Sequence, residues 1–222
     1  MNGEATLEST NSFSIRKTLY FIIKRLFDII CSLIGCIFLL PIALIVKISY
    51  ILNKDYASIF FSQDRIGKNG KTFKFYKFRS MVVDADKVLE EILKNDKEAR
   101  KEYKLNKKFK NDPRITKMGK ILRRTSLDEL PQLVNVLKGD MSLIGNRPYL
   151  PREKEDMGQY FDTIVKTKPG LTGYWQVNGR SNTTFEERLK LEKYYSNHAS
   201  LKMDIKILFK TVYVVLFHKG AE

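Results

Sequence analysis

The sequence predicts an α+β chain that is predominantly helical, with a membrane-directed segment near its N-terminus. Three observations carry that reading. Ile29 to Val46 run for 18 residues without a charge, the length at which a membrane helix becomes credible. Two aromatic-rich stretches, Ser58 to Ser62 and Thr72 to Phe78, flank Gly67-Lys68-Asn69-Gly70 with period-two alternation, the pattern of a small β-hairpin. Much of the remainder places apolar residues at helical spacing among lysines and glutamates. The chain has 222 residues and no internal repeat, so one globular domain with an N-terminal anchor is the economical organisation. Its expected divisions are a disordered leader over 1–15, an anchor over 16–54 and a globular domain over 55–222.

Residues Met1 to Ser14 are polar and carry no helical period, which predicts an unstructured leader. Its length, and an acidic balance that lasts until Arg16, argue against a cleaved signal peptide. Arg16, Lys17, Lys24 and Arg25 precede the apolar run, and Lys47 and Lys54 follow it. Positive charge on both flanks favours keeping both ends in the cytoplasm, and Pro41 lies inside the run, where it removes a helix hydrogen bond and marks the membrane break. A re-entrant anchor is therefore expected, with a kinked spanning helix as its alternative.

In the second hairpin strand Phe73 and Phe75 alternate with Lys74, and Lys77 and Arg79 project near its end. Met81 to Lys110 reads as one or two highly charged helices with a narrow stripe of Val88, Leu89, Ile92 and Leu93. Asn111-Asp112-Pro113 stops that pattern. Ile115, Met118, Ile121 and Leu122 then form an amphipathic set ringed by Lys117, Lys120, Arg123 and Arg124, suited to a domain surface or to phosphate headgroups. Tyr149 to Tyr160 is a charged connection, and Lys168 to Gly173 is rich in helix breakers. Thr183 to Tyr195 forms another helix. Leu201 to Phe217 is apolar, with Lys202, Lys206 and Lys210 on one face, as for a helix lying flat on a bilayer.

Lysine and arginine number 40 against 25 acidic residues, a net charge of +15, which calls for an anionic partner: nucleic acid, lipid headgroups or a nucleotide. Between Lys94 and Arg124 there are 13 basic and 4 acidic residues. No helix-turn-helix, zinc-finger or RNP-type motif is present, so a membrane-tethered nucleic-acid-binding protein explains the charge but little else. The two cysteines, Cys31 and Cys36, lie inside the apolar run and build neither a disulfide framework nor a zinc site. His198 and His218 stand apart from any nucleophile or metal-ligand set.

Ile121 to Pro148 holds the densest chemistry. Ser126-Leu127-Asp128-Glu129 has the spacing of a capping box, and Leu127, Leu130, Val134 and Leu137 recur at helical spacing. Asp128, Gln132 and Asn135 fall on another face, which can look into a cleft. Pro131 is too far in for a first-turn proline, so an irregular first turn is expected. Acidic residues near a helix start are common for reasons of stability alone. Here, however, Arg123 and Arg124 precede Asp128 and Glu129, and Arg147 follows in Gly145-Asn146-Arg147-Pro148. Two carboxylates among arginines suit phosphoryl transfer, one acid attacking phosphorus and the other holding a divalent cation. Further on, Tyr174 to Arg180 combines the only tryptophan with Gln176, Asn178 and Arg180: an aromatic face for a base, amides for its edges and an arginine for phosphate.

LRRTSLDELPQLVNVLKGDMSLIGNRP closely resembles the signature of the bacterial sugar transferases, the polyprenyl-phosphate hexose-1-phosphate transferases or monotopic phosphoglycosyl transferases. FFSQDRIGKNGKTFKFYKFRSM, DPRITKMG and KPGLTGYWQVNGR extend the resemblance from about Lys24 to the C-terminus. One departure is Asn146, where the family usually has proline before the arginine.

The resemblance implies a re-entrant helix-break-helix, a catalytic domain of interfacial helices around a cleft, and residence at the cytoplasmic face of a bacterial inner membrane. Its implied reaction joins a UDP-sugar to polyprenyl phosphate and releases UMP, the first membrane step of a capsule, exopolysaccharide or O-antigen. Asp128 would be the nucleophile and Glu129 the ligand of Mg2+. Lys77, Arg79, Arg123 and Arg147 would meet phosphate, and Gln176, Asn178 and Arg180 the nucleotide. The helix dipole and arginines are expected to keep Asp128 ionised. Membrane lipids and the two substrates are the expected partners, nucleic acid is not, and a homo-oligomer is compatible with this reading. A non-catalytic membrane scaffold is the remaining rival.

Overall fold

The computed structural model describes residues 2–106, 109–179 and 183–216, except the side chains of 2–14, 16, 104–106 and 215–216. In order the elements are α1 (Asn2–Leu52), β1 (Phe60–Ile66), β2 (Thr72–Phe78), α2 (Ala85–Asn95), α3 (Lys97–Asn106), α4 (Lys117–Arg124), α5 (Gln132–Lys138) and β3 (Ser142–Ile144). They continue with α6 (Lys154–Met157), α7 (Phe161–Ile164), β4 (Gly170–Thr172), α8 (Tyr174–Asn178), α9 (Phe185–His198) and α10 (Leu201–Leu216). The predicted α+β class with predominant helix is the one observed. The chain forms two compact units: Met1–Phe38 with Ser62–Phe75 and Gln132–Glu222, and Leu39–Phe61 with Tyr76–Pro131.

Helix α1 differs from expectation at two places. It reaches back to Asn2, through the polar leader; extending a nucleated helix gains one hydrogen bond for each residue fixed, so it needs no apolar period. It also stays helical through Pro41. The proline removes one donor from the ladder without interrupting the helix, so the break expected there is not an interruption of regular structure. Lys17–Leu52 is long and apolar enough to cross a membrane.

In the first unit, Tyr20, Lys24 and Asp28 recur every fourth residue on one stripe of α1. Lys24 forms an ion pair with Asp204 of α10. The Tyr20 and Tyr195 hydroxyls donate to the same carboxylate at 2.9 and 2.8 Å. Asp28 accepts from Ser142 Oγ at 3.0 Å and the Leu143 N–H at 2.9 Å. Arg25 donates to the carbonyls of Val136 and Leu137, satisfying acceptors at the C-terminal end of α5. Away from this stripe Leu26, Phe27, Ile30, Leu33, Ile34 and Ile37 are exposed, an apolar surface far beyond ordinary scattered exposure and suited to lipid.

The β3–β4 pair was not legible as strand, because both segments are three residues long and β4 starts in a breaker-rich run. The two strands are parallel, with Ser142 opposite Gly170 and Ile144 opposite Thr172. Glycine makes the crossing possible: a Cβ on Gly170 would lie 2.0 Å from Gly145 N, and one on Gly145 would lie 2.3 Å from Lys168 O. The core around this pair includes Ile144, Tyr195 and Ile207, with a neighbouring cluster of Ile66, Tyr149, Met157, Ile164 and Leu189. The predicted charged connection from Tyr149 to Tyr160 holds helical turns, including α6.

In the second unit, Thr116 caps α4 by accepting from the Gly119 N–H at 2.9 Å. Gly119 lies so close to Ser80 that a Cβ would meet Ser80 O at 1.9 Å. Phe60 and Phe78 stack at 5.4 Å, and Tyr50 bonds both the Arg79 carbonyl and the Thr116 hydroxyl. β1 and β2, which lie mostly within the Ser62–Phe75 part of the first unit, pair as the predicted two-stranded sheet, with β1 displaced toward the turn relative to expectation.

Candidate functional site

Asp128 and Glu129 sit in a single 3-10 turn, Leu127–Glu129, entered through Ser126 at φ 57°. The expected capping box is absent. Ser126 makes no side-chain cap, because its left-handed backbone is not the extended conformation an N-cap uses; its carbonyl accepts from the Glu129 N–H at 3.3 Å. Freed from that role, the Glu129 carboxylate meets Lys77 Nζ at 2.9 Å, and the same ammonium lies 3.7 Å from Asp128 Oδ2. The irregular first turn expected from Pro131 is present, and the regular helix α5 begins only at Gln132. Gln132 and Asn135 do not face open space: both are buried, and Asn135 donates to the Lys74 carbonyl at 2.6 Å.

Asp128 is 8% exposed. Burial raises its pKa above the ordinary carboxylate value, and the neighbouring Glu129 charge adds to the rise; Lys77 and Arg123 oppose it without cancelling it. The expected downward pull from cations is therefore present but outweighed by desolvation. Arg123, exposed at the end of α4, places Nε 2.9 Å from Ser80 Oγ. Ser80 was not among the sequence candidates; its one signal is its place directly after Lys77-Phe78-Arg79.

Arg79 occupies a different setting. It is buried, clamps Asp55 through both terminal nitrogens at 2.9 Å, donates Nε to Ser58 O at 2.7 Å and lies 4.3 Å from the Tyr50 ring centroid. This guanidinium is committed to the Asp55–Ser58 turn, and it lowers the Asp55 pKa through its hydrogen bonds.

In the other unit, Arg147 places its guanidinium 5.9 Å from the Trp175 ring, which Arg188 also approaches at 4.8 Å. Trp175 donates Nε1 to Thr183 Oγ1 at 2.8 Å. Gln176 is half-buried with Oε1 unpartnered. Asn178 is exposed, bonded to the Tyr174 carbonyl at 2.7 Å and to Lys210 Nζ at 2.6 Å. Arg180 lies outside the described residues. The unusual Asn146 is buried, and its amide donates to Ile164 O, Thr167 Oγ1 and Ser196 Oγ at 3.2, 3.2 and 2.6 Å, bonds that proline does not make. Sequence reading missed Arg188 and Glu192; their spacing of four on α9 was the available signal.

Among the described residues no group of three or more His, Cys, Asp or Glu side chains gathers as a metal site. Two hard-oxygen donors nevertheless fit magnesium, which is usually held by one or two carboxylates together with phosphate oxygens and water. The Glu129 side chain, 41% exposed, is the accessible donor of the pair.

Residues 19–218 match the family described as Bacterial sugar transferase. The chain belongs to that family. Among its relatives, an undecaprenyl-phosphate galactose phosphotransferase of Salmonella typhimurium is 46% identical over 90% of this chain and 41% of its own length. The exopolysaccharide production protein ExoY of Sinorhizobium fredii is 39% identical over 89% of this chain and 87% of its own length. A UDP-glucose:undecaprenyl-phosphate glucose-1-phosphate transferase of Escherichia coli is 35% identical over 90% and 41%. The sugar transferase chain described here thus spans about two fifths of the Salmonella and Escherichia proteins and most of ExoY.

Proposed function

We propose that this chain transfers a sugar-1-phosphate from a UDP-sugar to a polyprenyl phosphate at the cytoplasmic face of a bacterial inner membrane, releasing UMP and starting a surface glycan. The observation that carries the reading is the adjacent pair Asp128 and Glu129 bridged by Lys77. The relatives' names, which include undecaprenyl phosphate with galactose and UDP-glucose, support the substrate classes, and the exposed apolar surface of α1 supports membrane residence.

In the proposed reaction an oxygen of Asp128 attacks the sugar-bearing phosphorus. The bond from that phosphorus to the UMP oxygen breaks, UMP leaves, and a sugar-phosphoryl aspartate remains. An oxygen of polyprenyl phosphate then attacks the same phosphorus and releases Asp128, so two displacements share one nucleophile. Lys77 and Arg123 offset phosphate charge; by the family resemblance Arg147, Gln176, Asn178 and Arg180 are the nucleotide-sugar contacts. Arg79, committed to Asp55, holds the turn instead. Glu129 would hold Mg2+, which supplies charge neutralisation on phosphate oxygens when bound.

The test is a panel of UDP-sugars offered to the purified chain with undecaprenyl phosphate in detergent. UMP release with one member, together with protein-bound radiolabelled sugar-phosphate, is expected. Absence of UMP release across the panel overturns the reading and favours a non-catalytic scaffold.

A further inference from the structure

The irregular segment carrying Arg147 is held by a buried acid outside the proposed chemistry. Glu192, on α9, is 1% exposed, and its Oε1 accepts from the backbone N–H of Arg147 at 3.1 Å. The Tyr149 hydroxyl is an electrostatic neighbour of the same carboxylate but makes no regular hydrogen bond to it, so the Arg147 N–H is the bond by which Glu192 holds Arg147-Pro148-Tyr149. Arg188, one helical turn earlier, and Arg147 are neighbouring cations among the described residues, and their guanidiniums lie 4.8 and 5.9 Å from the Trp175 ring. Among the described residues, four buried polar atoms here make no regular hydrogen bond: Arg147 Nε, Arg188 Nε, Glu192 Oε2 and the Tyr149 hydroxyl. Buried polar atoms are nearly always partnered, so this is not the saturated ion pair that a purely structural role would favour.

We propose that Glu192 is a positioning residue: its ionised carboxylate holds the Arg147-Pro148-Tyr149 segment so that the Arg147 guanidinium lies against Trp175, ready for the donor phosphate. This rests on the reading of Arg147 as a donor-binding residue. Burial pushes the Glu192 carboxyl up to about 7, against the pull of Tyr149, the Arg147 N–H and the two arginines. Protonation below that range removes the negative charge that Arg147 and Arg188 neighbour and loosens the segment. The groups facing Glu192 are Tyr149 and Arg147 from that segment and Arg188 from its own helix. Of the elements packed on α9, α8 brings the uncharged Trp175, α7 carries the exposed Asp162, and Tyr160 lies 5.5 Å from Lys193. His198 stacks on Tyr194 at 4.2 Å, further along α9.

Trp175 is the only tryptophan, so indole fluorescence of the full chain in detergent reports on this cluster without requiring turnover. A pH titration of the parent should give a transition near 7. Glu192→Gln should abolish it, His198→Asn should keep it, and Arg188→Gln, which removes a cation favouring the carboxylate, should move its midpoint upward. In UMP-release assays the parent's donor KM should rise several-fold between pH 8 and pH 6 with a smaller change in kcat, whereas Glu192→Gln should show the raised KM at both. A flat parent titration, or a transition surviving in Glu192→Gln, overturns the proposal; so does a Glu192→Gln KM that follows the parent's pH course. If Glu192→Gln fails to fold, an unmoved midpoint in Arg188→Gln overturns it. Failure of the parent to release UMP would instead overturn the proposed reaction and leave the fluorescence result to be judged alone.

Discussion

A carboxylate proposed as nucleophile must be ionised, yet Asp128 is buried and beside a second acid, so its environment works against ionisation and Lys77 works for it. Because its pKa is raised, the rate should fall with acidity through a midpoint above the ordinary 3.8. Removing the Glu129 charge should move that midpoint down, and removing the Lys77 charge should move it up; pH–rate profiles of Glu129→Gln and Lys77→Met check both signs. Asp128→Asn should abolish turnover and the trapped sugar-phosphate together, and substantial turnover would remove it as nucleophile. Arg123→Ala should lower activity much more than Arg124→Ala, since Arg123 is placed by Ser80; equal losses would indicate a diffuse basic surface. A sign of the other kind belongs to Glu192. Its pKa rises from 4.5 to about 7 on folding, so between those values the native chain binds more protons than the unfolded one, and this group makes stability fall as pH rises. Thermal melts of Glu192→Gln should be correspondingly flatter across that window.

Elements were legible where a period or a breaker announced them. The hairpin, α2 with α3, α4, α9 and α10 follow from alternation or amphipathic spacing, because burial of one face is what those periods record. The charged stripe of α1 was not legible in the same way: Lys24 and Arg25 read as flanking charges, while in the structure Lys24 meets Asp204 and Arg25 meets the end of α5. Such partners lie more than a hundred residues away, beyond any local pattern. The capping box at Ser126 failed for a related reason: its spacing was correct, but a left-handed backbone redirected Glu129 to Lys77. β3 and β4 leave almost no periodic trace, since their pairing depends on close backbone approach at Gly145 and Gly170. Gly170→Ala should therefore cost about 1–3 kcal/mol as overpacking; thermal unfolding that matches the parent would show that the crossing has room.

At the scale of the whole molecule, the length of the apolar helix constrains how it meets the bilayer. Lys17–Leu52 contains 36 residues, about 54 Å at the usual helical rise, whereas the hydrocarbon core is about 30 Å thick. The excess length permits a tilted span or a helix that bends and returns. Basic residues flank both ends of the apolar run, which favours cytoplasmic placement of both, and Pro41 supplies the missing hydrogen bond at which a helix bends. Replacing Pro41 by leucine restores that donor and strengthens the straight helix, while the flanking charges still resist translocation, so a mixed topology is expected rather than full inversion. Single cysteines at Ser12 and at exposed Tyr56, in a background lacking Cys31 and Cys36, can be labelled in intact and permeabilised cells. For the parent, both positions should react only after permeabilisation; for Pro41→Leu, a fraction of Ser12 sites should become reachable from outside. Labelling of the parent at Ser12 but not Tyr56 in intact cells would identify an ordinary span, because one end of the helix would then have crossed despite its charges.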